Sequence, residues 1–169
     1  VQPGQRVLIH GASGGVGTAL MQLGKLAGLE MIGTASKGKH DLLAQYGVSP
    51  IDYRSQDFEN ILKDNPVDAV FESISSENLR KSMRILKKGG TLVSIGARAS
   101  VVNGVVNKGD MVKAFMYCYL IDLLPNGKKA KFYVIDARKD SAVFREDLTQ
   151  LMRWLEAGKI APVIGAAFP

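Results

Sequence analysis

The sequence predicts a doubly wound α/β fold, a parallel sheet of six strands with helices on both faces. Three observations predict it. Short apolar runs alternate with helical patterns five times between Arg6 and Gly96, the connections between them are short, and the first run ends in a turn built from glycine, alanine and serine. Parallel neighbours need a crossover to carry the chain back, so regular alternation of this kind favours a parallel sheet.

Taken in order, Pro3-Gly4 is a turn signal that launches a strand through Val7, Leu8 and Ile9, closed by His10. The stretch Thr18–Gly28 follows as a helix, with Val16, Leu20, Leu23 and Ala27 recurring at helical spacing and Gly28 at its end. Met31–Ala35 reads as the second strand, Ser36–His40 as a polar loop, Asp41–Tyr46 as a helix stopped by Gly47, and Val48–Tyr53 as the third strand. Ser55–Asp64 is a helix broken by Pro66, and Val67–Ile74 is a fourth strand, largely apolar as a buried parallel strand should be. Ser76 caps a helix through Leu86 that Gly89-Gly90 ends, and Thr91–Ile95 is the fifth strand, closed by Gly96. The rhythm then loosens. Lys108–Leu124 reads as an apolar helix ended by Pro125-Asn126-Gly127, Phe132–Ile135 as the sixth strand, Phe144–Ala157 as an amphipathic helix, and Ile160–Ile164 as a last extended piece.

The chemistry concentrates at Arg6–Gly17, RVLIHGASGGVG. A helix that opens from a small-residue turn presents unpaired N–H groups and the positive end of its dipole, and glycine lets a phosphate come close. The dinucleotide fingerprint spaces three glycines for these purposes, and here its positions are filled by Ala12, Gly14 and Gly17. On this reading the fold is Rossmann-type, with strand order 3-2-1-4-5-6. The same residues, Gly11-Ala12-Ser13-Gly14-Gly15, also match a hydrolase nucleophile elbow. That chemistry needs a histidine after the serine and an acid, and the only histidines are His10 and His40, with none in the last 129 residues.

An NAD-specific domain places a carboxylate at the end of its second strand, about 20 residues past the glycine turn. Met31–His40, MIGTASKGKH, contains none. Ala35 stands near that position, followed by Ser36, Lys37 and Lys39, a hydroxyl and two ammonium groups suited to a ribose 2′-phosphate. The expected cofactor is therefore NADP (NADPH).

VQPGQRVLIHGASGGVG, the GTAS segment, the DYR at Asp52–Arg54, the FESI at Phe71–Ile74 and the LVSIG at Leu92–Gly96 together resemble the cofactor domain of medium-chain dehydrogenase/reductases. The nearest branch is the zinc-independent, quinone oxidoreductase-like one, where alanine similarly replaces the first glycine. The likeness runs from Val1 to about Gly96 and resumes more weakly from Phe132 to Ile164. It implies hydride transfer from NADPH to quinones, enones or related carbonyl compounds. It also implies that Ser13, Gly14, Gly15, Val16 and Gly17 cradle the pyrophosphate, and that Ser36, Lys39 and Tyr53 surround the 2′-phosphate, with Lys37 sharing that role. Ser73, Ile74, Ile95 and Gly96 would line the path to the nicotinamide. No residue is assigned as general acid or base, because hydride chemistry belongs to the cofactor. A barrel-like substrate domain and a homodimer formed through the edge strand near Phe132–Ile135 are further implications. A zinc alcohol dehydrogenase, with its metal ligands outside this sequence, and a non-enzymatic NADP sensor are the competing readings.

Composition bounds the rest. The 169 residues suffice for one domain, which the start at Val1 suggests is excised from a longer protein. A single cysteine, Cys118, excludes an internal disulfide and suits a reducing, cytoplasmic setting. The net charge of +6 comes from dispersed lysines and arginines without an RNA-binding aromatic motif, so neither nucleic acid nor membrane is expected as a partner.

Overall fold

The computed structural model describes residues 1–72, 76–95, 101–102, 105–106, 108–123, 127–133 and 141–163. Its centre is a six-stranded sheet formed by β1 (Arg6–Ile9), β2 (Glu30–Ala35), β3 (Val48–Asp52), β4 (Val67–Glu72), β5 (Leu86–Ser94) and β8 (Lys129–Phe132). The order is β3-β2-β1-β4-β5-β8 and every pairing is parallel, which is the expected doubly wound arrangement. A short antiparallel pair, β6 (Val101–Val102) with β7 (Val105–Val106), lies outside that sheet.

Alternation along the strands builds two cores. Leu8, Ile32, Val70 and Leu92 point to one face and meet Phe58 and Leu62 of α3 (Phe58–Leu62), Leu79 and Met83 of α4 (Ser76–Arg84), and Cys118 and Ile121 of α5 (Lys108–Leu123). Val7, Ile9, Met31 and Ala69 point to the other and meet Met21 of α1 (Gly15–Leu26) and Leu43 of α2 (His40–Gln45). Each strand is thus covered on both sides, the condition that makes its sequence read as a nearly continuous apolar run. The last helix, α6 (Ser141–Glu156), is followed by a segment whose Ala161 N–H donates to Gln22 Oε1 of α1 at 2.6 Å.

Three elements depart from the sequence-based expectation. The glycine pair Gly89-Gly90 lies inside β5 rather than at a helix end: α4 stops at Arg84, and the β4–β5 register shifts between Val67 and Ala69. Gly89 takes φ +81°, a conformation other residues rarely adopt, and a Cβ on Gly90 would stand 2.9 Å from the Lys87 carbonyl oxygen and 3.0 Å from that of Asp68, so the pair suits a bulge in β5. The expected helix over Ser55–Asp64 shortens to Phe58–Leu62, because Asp57 caps it by accepting from the Glu59 N–H at 3.0 Å. The sixth strand falls at Lys129–Phe132, three residues ahead of the expected Phe132–Ile135. Its alternation decides the matter: Ala130 is buried against α5 while Lys129 and Lys131 are exposed. Val134 and Ile135 lie outside the described residues, and Ile160–Val163 forms no strand.

Candidate functional site

The site starts from how the glycine turn is fastened. Thr34 of β2 holds it twice: its carbonyl accepts from the Ala12 N–H at 3.0 Å and its hydroxyl oxygen accepts from the Gly11 N–H at 3.1 Å. Gly14 N–H closes the turn on the Gly11 carbonyl at 2.9 Å. Helix α1 then begins without a capping side chain and without an acidic residue in its first turn. Its first paired amide is that of Thr18, bonded to the Gly14 carbonyl at 2.8 Å, which leaves the amides of Gly15, Val16 and Gly17 at the open end of the dipole.

The glycines divide their work sterically. Nothing lies within 4 Å of where a Cβ on Gly15 would stand, so that position is open to an approaching group. A Cβ on Gly17 would instead lie 2.5 Å from the Ala12 oxygen and 2.6 Å from its carbonyl carbon, so helix and turn touch here backbone to backbone. Ala12, which replaces the first glycine of the fingerprint, is fully buried. Its methyl fits because Gly33 stands opposite, where an added Cβ would fall 2.7 Å from that of Ala12.

Above the turn lies a cleft of about 1150 Å³ over the carboxyl ends of the central strands. The turn and α1 line one wall through Ser13, Gly14, Gly15, Val16 and Gly17, and the ends of β2 and β3 contribute Ala35, Ser36 and Tyr53. Ile95, just past β5, also lines it. These predicted residues come together. Lys37 and Lys39 sit one and three positions past Ser36 on an exposed 3₁₀ turn and do not line the cleft. Ser73, Ile74 and Gly96 lie outside the described residues.

Several lining residues were not anticipated. Arg54 is one, its guanidinium 5.7 Å from the centroid of the Tyr53 ring, where cation and aromatic face hold each other in place. The DYR motif contained the signal, yet only its tyrosine was given a role. The neighbouring Asp52 carboxylate accepts from the Arg54 N–H at 3.1 Å and the Ser55 hydroxyl at 2.9 Å. The Arg54 amide, with the Ser55 hydroxyl, holds that acid below the usual carboxylate value. Asp52 is thereby spent on the turn at the end of β3 and is not among the residues lining the cleft. Farther along, Asn78 and Lys81 of α4 face the cleft, and Lys81 donates to Asp57 at 3.1 Å, which keeps the Asp57 carboxyl low.

His10 forms part of the floor. It is 3 % exposed, with Nδ1 3.2 Å from the Thr34 hydroxyl and Nε2 3.2 Å from the Ser82 hydroxyl and 3.5 Å from Glu72 Oε2. Burial lowers its pKa from 6.5 to about 4, so the imidazole is neutral at ordinary pH. Because Thr34 also holds Gly11, this buried network ties the glycine turn to α4.

A parallel sheet of this order, crossed at its switch point by an uncapped helix over an open cleft, defines a Rossmann-like, cofactor-binding α/β domain. Residues 47–169 match the family model of the zinc-binding dehydrogenases, and the chain belongs to that family as a cofactor-binding domain of the medium-chain dehydrogenase/reductase type. It is 30 % identical over 177 residues to the synaptic vesicle membrane protein VAT-1 homolog of Danio rerio, covering 99 % of this chain and 37 % of that protein. The quinone oxidoreductase of Mus musculus is 29 % identical over 178 residues, covering 98 % and 48 %. Among solved structures, the CurK enoyl reductase superposes with a TM-score of 0.76 at 26 % identity, covering all of this chain and 48 % of that one. The chain thus spans about half the length, or less, of these relatives. Despite the family's name, no three His, Cys, Asp or Glu side chains converge on a metal position among the described residues. Nor is any described helix long and apolar enough to cross a membrane.

Proposed function

We propose that this chain is the NADPH-binding domain of an oxidoreductase that reduces quinones, enones or similar electrophilic carbonyl compounds by hydride transfer. One observation carries the reading. The uncapped N-terminus of α1, open at Gly15, shares a cleft with a β2 end that has no carboxylate and with Ser36, Tyr53 and Arg54. The amides of Gly15–Gly17, with Ser13, would hold the pyrophosphate. Ser36, Tyr53 and Arg54 would surround the ribose 2′-phosphate, with Lys37 and Lys39 adding positive potential from the adjacent 3₁₀ turn. Ile95, with Ser73, Ile74 and Gly96, would lead to the nicotinamide.

When bound, the cofactor supplies the hydride, while the chain orients it and excludes water. The chain spans about half the length of its relatives, and on this reading a further domain of a parent protein supplies the substrate half of the site, so this domain alone should turn over little or nothing. Pairing of two copies along the edge at β8 and a cytoplasmic setting complete the proposal. Calorimetric titration with NADPH and NADH is the direct test. The expected result is tighter binding of NADPH; equal affinities would remove the 2′-phosphate assignment, and no binding of either would remove the function.

A further inference from the structure

His10 lies in the floor of the cleft among three other buried polar side chains, Thr34, Glu72 and Ser82. Removing polar groups from water is costly, so a buried cluster of this kind persists through its hydrogen bonds. Thr34 decides which ring nitrogen of His10 carries the hydrogen. Its hydroxyl oxygen already accepts from the Gly11 N–H at 3.1 Å, and among the described residues the acceptor in reach of the hydroxyl hydrogen is His10 Nδ1 at 3.2 Å. Nδ1 therefore accepts. The hydrogen of the neutral ring sits on Nε2, which faces the oxygens of Ser82 at 3.2 Å and Glu72 at 3.5 Å. Phe58 meets the ring edge-on, with centroids 4.6 Å apart, and fixes its plane.

We infer that His10 is a positioning residue for the glycine turn: acting through the Thr34 hydroxyl, it sets the orientation of the Gly11 peptide. Gly11 takes φ +63°, and with no side chain to restrict it, its peptide plane is set by hydrogen bonds. Thr34 holds its N–H, and its carbonyl accepts from the Gly14 N–H at 2.9 Å, directly before the amides of Gly15, Val16 and Gly17 open into the cleft. A hydroxyl that donates to Nδ1 is in turn a stronger acceptor for Gly11, because hydrogen bonds in a chain polarise one another. Only the identity of what the turn holds rests on the proposed cofactor; the chain from His10 to Gly11 does not.

Amide exchange followed by NMR on the ligand-free 169-residue chain tests it. The Ala12 N–H is the internal reference, since it bonds the Thr34 backbone carbonyl and not the hydroxyl. A loss of overall stability speeds both amides alike, whereas loss of the link from His10 speeds Gly11 alone. His10→Leu and Thr34→Val should each raise the Gly11-to-Ala12 exchange ratio about fivefold to tenfold, the scale of one net hydrogen bond. The double variant should raise it no further, because the two side chains act in series. His10→Asn, whose side-chain oxygen can stand where Nδ1 stands, should return the ratio toward the parent value; His10→Gln, which reaches to the Nε2 side, should not. Long-range proton–nitrogen spectra of the parent should show the ring hydrogen on Nε2. Calorimetry on the same variants should show NADPH and NADH weakened by one common factor, since the pyrophosphate is common to both. A ratio unmoved by His10→Leu, or a ring hydrogen on Nδ1, overturns the inference, as does a His10→Leu chain that loses affinity for NADPH alone. A parent chain that binds neither cofactor while the ratio moves as expected keeps His10 as the anchor of the turn and removes the cofactor reading instead.

Discussion

Gly15 and Gly17 make opposite demands on the same turn, and exchanging each for alanine separates them. At Gly17 the new methyl would lie 2.5 Å from the Ala12 oxygen. Ordinary carbon–oxygen contact begins near 3.4 Å, so helix and turn must part by roughly 0.9 Å. Overpacking against backbone of this kind costs about 1–3 kcal/mol, which for a domain of this size lowers Tm by roughly 2–12 °C. The same displacement takes hydrogen bonds made near 2.9 Å out of range, so dinucleotide affinity should fall at least tenfold. At Gly15 there is nothing for the methyl to strike, and in a helix alanine is favoured by about 0.4–1 kcal/mol, so Gly15→Ala should melt at or slightly above the parent. On the proposed reading its methyl would stand where the pyrophosphate comes, and binding should weaken about tenfold or more. Thermal melts followed by circular dichroism, with NADPH titrations on the same samples, read both quantities. A Gly17→Ala protein that melts with the parent would refute the backbone contact, and parental NADPH affinity in both variants would refute the site.

Three other expectations follow from the same geometry. Arg54→Ala, with or without Lys37→Ala and Lys39→Ala, should weaken NADPH by roughly tenfold, the scale of a charge-assisted bond at a wet site, and leave NADH unchanged; calorimetry with both cofactors checks it. His10 is held neutral in the fold with its pKa at about 4 rather than 6.5, so the unfolded chain binds its proton first. Its contribution is therefore intact above pH 6.5 and is lost as pH falls toward 4, on the order of 3 kcal/mol in all. Urea titrations across that window should show the decline, and His10→Asn should flatten it whatever its baseline stability. Gly33→Ala should cost about 1–3 kcal/mol through collision with the Ala12 methyl at 2.7 Å, Leu43 and Val48, and Ala12→Gly in the same chain should return part of that loss in a double-mutant cycle.

The strand order was legible because the sheet is doubly covered. Val7–Ile9 is wholly apolar, and Val67–Glu72 is largely so despite Asp68 and Glu72, so run length and punctuation locate them without tertiary information. Two of the three departures, the Gly89-Gly90 bulge and the position of β8, have local causes. A Gly-Gly pair serves equally as a helix stop or a strand bulge, and only contact with Asp68 and Lys87 selects the bulge. The β8 segment KAKF carries two exposed lysines and one small buried residue, so the apolar run that follows it in sequence drew the prediction forward. The cleft divides along the same line. Its glycine-turn wall is contiguous in sequence, whereas Asn78 and Lys81 reach the cleft only because α4 packs beside β4, and His10 gains its partners only when Thr34 and Ser82 converge on it.

The departure at Ala12 shows what the fingerprint encodes. The three-glycine pattern is usually read as a property of the turn, yet the space it protects lies between the turn and the strand beside it. Here the methyl that the first position carries is balanced by its absence at Gly33, twenty-one residues away and packed against it from β2. The requirement is a total volume shared between the turn and β2, and glycine can be placed on either side of the gap. Gly17 has no such freedom, because what it faces is the Gly11 and Ala12 backbone, which no substitution elsewhere can shrink. A sequence with alanine at the first position should therefore be read together with the middle of its second strand. The motif is intact when a small residue stands there, and a large one would leave no room for the turn.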